Sequence, residues 1–560
     1  MTANQMTEVF SMTNENGIQF PDESESRRLW AAASFTRRTL LLGFGGLGAA
    51  AALAACSPGG TSPDPNGAAS GTPKRGGNFR VGVLGGGSKD ILDGQNFVVN
   101  PDAPRLMTAF ETLLTRDENF RLSSDGLAES VEADNPTQYT IKLRKGVQFH
   151  NGKTMTADDV IYSLQRIGND KTLRGHSATV TWDIAGITKI DDYTVRLPLK
   201  SADSSVPDTL AAYYFGIVPV DYKPFSGDPS TQIGTGPYKL KSFTPGQESV
   251  HERNPNYWRE GQPYFDTVTI IDFSDATAQV NALLAGQIDA ATDLPSSQVA
   301  AVQASGQQIL ESQTGWWVGL SMMTTMAPFD DSRVRQAFRL VVDRQSMLDQ
   351  VASGKGQIGN DLYGRYDAAY FDKLPQRQRD IEKAKSLLKE AGKENLSVDL
   401  YTADLTDGMV SMATVFARQA KDAGITVNVK VLPNDKLYSD EYLYKVAFTS
   451  AYWAGRPYLD QVKLSGLSNS LYPETQWSKS ESGPEFEALY KEALETTDEA
   501  KRTEALHKMQ QLEYDNGGYI IPYFPSKFDG HTPSVQGLTQ AKTTLGLNNY
   551  GYGFRTIWLA

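Results

Sequence analysis

The chain has 560 residues, with 66 acidic against 54 basic side chains and a net charge of −12. That length supports more than one lobe with its own core, and the acidic balance argues against nucleic-acid binding as a main task. One cysteine, Cys56, excludes a disulfide framework, and five dispersed histidines (His150, His176, His251, His507, His531) show no pair at metal-ligand spacing. No metal or other cofactor is expected.

In chain order, the first signal is Thr36-Arg37-Arg38-Thr39 ahead of a Leu-, Gly- and Ala-rich run that closes on Leu53-Ala54-Ala55-Cys56. A basic n-region, a short apolar h-region and small residues at the cut describe an export signal. The pair Arg37 and Arg38 points to the twin-arginine route, and the ending resembles a lipobox, so Cys56 is the expected lipidation site. The run is too short for the roughly 20 residues a membrane span needs. Residues 1–55 are thus expected to be a signal peptide, and the Gly/Pro/Ser-rich 56–74 a flexible tether.

Beyond the tether, helix and strand signals alternate, which indicates a mixed α/β chain. Gly77 to Val83 alternates as a first strand, and Tyr139 to Leu143 as another. Val147-Gln148-Phe149 is expected as a short strand before an Asn151-Gly152 turn. Thr156 with Asp159 forms a capping-box pattern that predicts a helix start. Ala276 to Ala285 predicts a helix stopped by Gly286. A 3.6-residue period places Val334, Ala337, Phe338, Val341 and Val342 on one helix face. Further amphipathic helices are predicted for Glu382 to Ala391 and for Glu485 to Tyr514, the latter broken near Thr496-Thr497-Asp498.

Several motifs occur in one order: Leu143-Arg144-Lys145-Gly146-Val147-Gln148-Phe149-His150-Asn151-Gly152, then Thr156-Ala157-Asp158-Asp159-Val160 and Gly234-Thr235-Gly236-Pro237-Tyr238. After them come Asn254-Pro255-Asn256-Tyr257-Trp258, Ala282 to Asp289, and Pro328 to Ala337. This series, from about Arg75 to the C-terminus, closely resembles the dipeptide-, oligopeptide- and nickel-class (family 5) solute-binding proteins of ABC importers. The resemblance implies an α/β, two-lobed periplasmic-binding-protein-like fold with a two-crossing hinge. The first lobe would comprise 75–315 plus 527–560, with a subdomain inserted at about 111–229, and the second lobe 316–526. It also implies an extracytoplasmic, lipid-anchored monomer that hands a small-molecule or peptide solute to permease and ATPase subunits.

In dipeptide binders of this family, a Trp is followed three residues later by an Asp that takes the ligand's ammonium. The matching stretch here is Tyr452-Trp453-Ala454-Gly455-Arg456-Pro457-Tyr458, with Arg456 at the Asp position. The arginine that would hold a dipeptide's carboxylate is replaced by Ala403, near Asp404 and Asp407. Arg456 therefore becomes a candidate anion reader, since its fork suits carboxylate or phosphate. The equally open alternative is an internal partner such as Asp460. Asp404 or Asp407 would then meet an amine or hydroxyls. Tyr452, Trp453, Tyr458, Trp316 and Trp317 are the candidate aromatic contacts, Trp453 foremost, although aromatic pairs often serve as core. No nucleophile elbow or histidine motif supports the rival reading of a secreted hydrolase. A solute-sensing receptor on the same fold is the other alternative.

Overall fold

The computed structural model describes residues 72–97, 100–542, 546–549 and 551–560. Arg37, Arg38 and Cys56 lie outside the described residues. Among the described residues, no helix is long and apolar enough to cross a membrane.

Local signals build the elements much as their chemistry dictates. The Thr156 backbone N–H donates to the Asp159 carboxylate at 3.0 Å, and the helix Ala157–Asn169 follows, burying Val160, Leu164 and Ile167. Asp275 accepts from the Ala278 N–H at 2.8 Å and opens Ala276–Leu284, which ends before Gly286 at φ +69°. Two helices, Gly483–Glu495 and Glu499–Asn516, flank Asp498, whose side chain caps the second. Val147 to Phe149 departs from expectation. There the pairing shrinks to a single bridge, Gln148 with Thr154, because the Asn151-Gly152 turn closes directly on Phe149 and Lys153. Val147 and Phe149 are buried all the same.

Among the described residues the strands form one connected twelve-stranded network, a separate four-stranded antiparallel sheet and two two-stranded pairs. The small sheet, Ala128–Asn135, Gln138–Leu143, Thr194–Pro198 and Thr188–Asp191, packs with the Ala157–Asn169 helix around Leu143, Leu164 and Trp182. In the network, the 13-residue strand Tyr519–His531 joins two halves. Its C-terminal part pairs with Gln308–Gln313 and Ala290–Ala291, and through the latter reaches Asn78–Leu84 and Thr267–Phe273. Its N-terminal part pairs with Trp317–Met322, beside Phe448–Trp453, Ser397–Thr402 and Thr426–Val431. The chain thus passes between the halves at 314–316 and again within the long strand. Asp289 secures one strand end: its carboxylate accepts from the Arg80 N–H, Nε and Nη2 at 2.8, 3.1 and 2.8 Å.

Candidate functional site

The site forms where the strand Phe448–Trp453 runs out beside Trp317–Met322, with Trp453 opposite Trp317 and Tyr452 opposite Val318. The loop after Trp453 runs close to the first passage between halves: a Cβ on Gly315 would lie 3.2 Å from the Gly455 Cα. Glycine at both positions lets the two backbones approach.

Arg456 lies on this loop, half-buried, with its guanidinium 4.9 Å from the centre of the Trp453 ring. Its Nε donates to the Ala454 carbonyl at 3.3 Å. Among the described residues no carboxylate lies within ion-pair distance of it, so Asp460 is a neighbour and not a contact partner. Burial lowers the Arg456 pKa, while the nearby Tyr214, Asp460 and Tyr213 oppose that shift. Burial first, and then Asp208, push the Asp460 carboxyl up to about 7. Tyr213 and Tyr214 belong to the other half and lie tilted against Phe97, whose ring centre is 5.1 Å from Tyr213 and 6.0 Å from Tyr214. The ring in direct contact with the Arg456 guanidinium is thus Trp453, with Tyr213 and Tyr214 felt electrostatically.

The remaining candidates separate into three groups. Tyr452 packs on Trp316 at 5.5 Å and near Tyr438 at 6.2 Å, and Lys527 sits 4.9 Å over Trp316. Tyr452 and Trp453 are successive residues of the strand and pack against different clusters. Trp317 and Tyr458 are each 1% exposed and belong to the core beneath. Trp317 meets Tyr519 edge-on at 5.2 Å, while Tyr458 stacks on Tyr363 at 5.3 Å and donates its hydroxyl to Glu513 at 2.6 Å. Asp404 and Asp407 are exposed, and neither shares a contact with Arg456 or Trp453. The Asp404 carbonyl accepts from Asn434, and the Asp407 carboxylate accepts from the Ser296 hydroxyl of the other half at 2.9 Å.

Sequence reasoning missed Tyr213, Tyr214, Tyr438, Tyr472 and Glu474. The adjacent tyrosines 213 and 214 carried a faint aromatic signal, whereas Glu474 was one acid among many. Glu474 accepts from Trp453 Nε1 at 3.0 Å and from the Tyr519 hydroxyl at 2.9 Å, and burial pushes its carboxyl up to about 7. Burial also lowers His150 to about 4 and His251 to about 3, so both are neutral structural side chains. Among the described residues, no group of three or more His, Cys, Asp or Glu is placed to hold a metal ion.

Two sheet halves joined by a shared long strand, with a polar and aromatic site at the crossing, define a two-lobed α/β binding protein. The chain belongs to the bacterial extracellular solute-binding proteins of family 5, whose middle-region model matches residues 124–471. The oligopeptide-binding protein AppA of Bacillus subtilis is 26% identical over 516 residues, 87% of this chain and 93% of its own. The ABC transporter substrate-binding protein CtaP of Listeria monocytogenes shares the fold at a TM-score of 0.76 and 20% identity, covering 87% of this chain and 100% of that one. The binding protein AgaA of A. tumefaciens R10, solved with agropinic acid, has a TM-score of 0.68 at 22% identity, covering 86% and 99%.

Proposed function

We propose that this protein captures a polar solute bearing a carboxylate or another oxygen-rich group between its lobes and delivers it unchanged to an ABC importer. The observation that carries this reading is Arg456: a half-buried guanidinium over Trp453 with no carboxylate within ion-pair distance among the described residues. An unpaired charge at a site that closes from water is costly unless a ligand completes it. Relatives are named for oligopeptide and agropinic acid binding. A modified peptide or an opine-like conjugate suits Arg456 better than a free dipeptide, whose ammonium would meet the guanidinium.

The strand pairing supports lobes of 75–315 plus 527–560 and of 316–526, with the small sheet inside an insertion at about 111–229. The proposed anchor is an acylated Cys56 that tethers a monomer outside the cytoplasmic membrane. A stable anchor takes two or more acyl chains. A Cys56→Ser variant should leave the membrane fraction or remain unprocessed, and retention at the cleaved size would remove the anchor.

Native mass spectrometry of the purified protein should reveal a co-purified anionic or zwitterionic solute, recovered chemically intact. Arg456→Ala should then weaken its binding by about 10- to 100-fold, the usual worth of a charge-assisted hydrogen bond. Unchanged affinity in calorimetry would eliminate Arg456 as the anion reader.

A further inference from the structure

We propose that Glu474 and the rings around it form a second subsite that takes an alkylammonium group, which makes the solute a zwitterion. The proposal deepens the reading above and rests on it for the anionic half of the solute. Oε2 of Glu474 accepts both hydrogen bonds, from Trp453 and Tyr519. Oε1 accepts none among the described residues, and it is not sealed from solvent. Arg456 acts on this carboxylate from beyond ion-pair distance.

Aromatic side chains lie beside this carboxylate, Trp453 and Tyr519 in direct contact with it. Burial first, and then the Glu474 charge, raises the pKa of Tyr438, Tyr444 and Tyr452. Tyr472 meets Trp453 edge-on at 5.8 Å. Two of these rings are open to solvent, Tyr438 at 36% and Tyr472 at 40%. A carboxylate with a spare acceptor beside aromatic rings attracts a cation twice over, through its charge and through the ring quadrupoles. A protonated amine donates N–H to Oε1 while its carbons lie on the rings, whereas an anion would be repelled. Arg456 and Glu474 engage the face and the Nε1 edge of one indole, so the two subsites hold opposite charges close together.

A purely structural Glu474 would only orient Trp453 and Tyr519, and Glu474→Gln keeps an acceptor for that task. The full chain is labelled with 5-fluorotryptophan, and the Trp453 resonance is assigned through its loss in Trp453→Phe. Butylammonium chloride and neutral 1-butanol are then titrated at about pH 8, where a carboxyl of this kind is ionised. Butylammonium should shift the Trp453 resonance saturably and bind at least about tenfold more tightly than 1-butanol. Glu474→Gln should abolish that preference, and Arg456→Ala should preserve it while losing the anionic solute. If Glu474→Gln fails to fold, Tyr438→Leu, at the exposed rim, should weaken butylammonium several-fold. Equal binding of the two probes, no saturable butylammonium response, or a preference that survives both substitutions would overturn the subsite. Loss of solute binding in Arg456→Ala with no butylammonium effect would sink this inference alone.

Discussion

Glu513 lies on the last long helix and accepts the hydroxyls of Tyr363 at 2.5 Å and Tyr458 at 2.6 Å. Burial pushes its carboxyl from 4.5 up to about 7. The native state therefore holds a proton that the unfolded chain releases near 4.5, so stability is present below that pH and is lost as pH rises towards 7. Glu513→Gln keeps a group that can meet both tyrosines and removes the ionisation. It should leave stability at pH 4 little changed and raise it at pH 8 by up to about 3 kcal/mol. Urea unfolding at both pH values checks this, and an equal effect at the two would refute it. Glu474 and Asp529 are raised to about 7 by the same cause and add to the same slope. At this scale the sequence showed Tyr458 beside the anchor position, but its place in the core depends on Glu513, which is 55 residues away along the chain.

Among elements, those governed by neighbours in the chain were legible. The Thr156–Asp159 capping pair, the helix stop at Gly286 and the helix break near 496–498 all depend on atoms within one turn. The strand Trp317–Met322 is different. Every residue in it is buried, so it has no alternation to reveal its faces. Its register against the long strand shifts between Val318 and Leu320, and a Cβ on Gly319 would stand 2.5 Å from the Ile520 carbonyl oxygen. Gly319→Ala should consequently destabilise the second lobe by about 1–3 kcal/mol, as overpacking does. The urea midpoint measures it, and an unshifted midpoint would show that the strands can part without cost.

Across the whole molecule, few polar contacts bridge the lobes away from the hinge. Ser296 donates to Asp407, the Ser204 hydroxyl to the Ala493 carbonyl at 2.8 Å, and Lys463 to the Ala178 carbonyl at 3.3 Å. Arg502 stands 3.8 Å from Asp208. Surface contacts of this kind contribute little individually, which suits lobes that must open. Asp407→Ala removes one clasp and should enlarge the solute-free radius of gyration in small-angle scattering, with compaction restored by bound solute. An identical radius with and without the clasp would show that Asp407 does not hold the lobes together.

The sequence by itself determined the family, the α/β class, the helix starts and the arginine standing where dipeptide binders carry an aspartate. These follow from local patterning and from motif order, which a single chain displays without its fold. Only the tertiary structure decided which candidates share a site. It paired Arg456 with Trp453 and Tyr452 with Trp316, sent Trp317 and Tyr458 into the core, and placed Asp407 on a lobe contact. It also set the Glu474 carboxylate against Trp453 and Tyr519. Burial and electrostatic partnership arise from folding across such separations, and no local pattern encodes them.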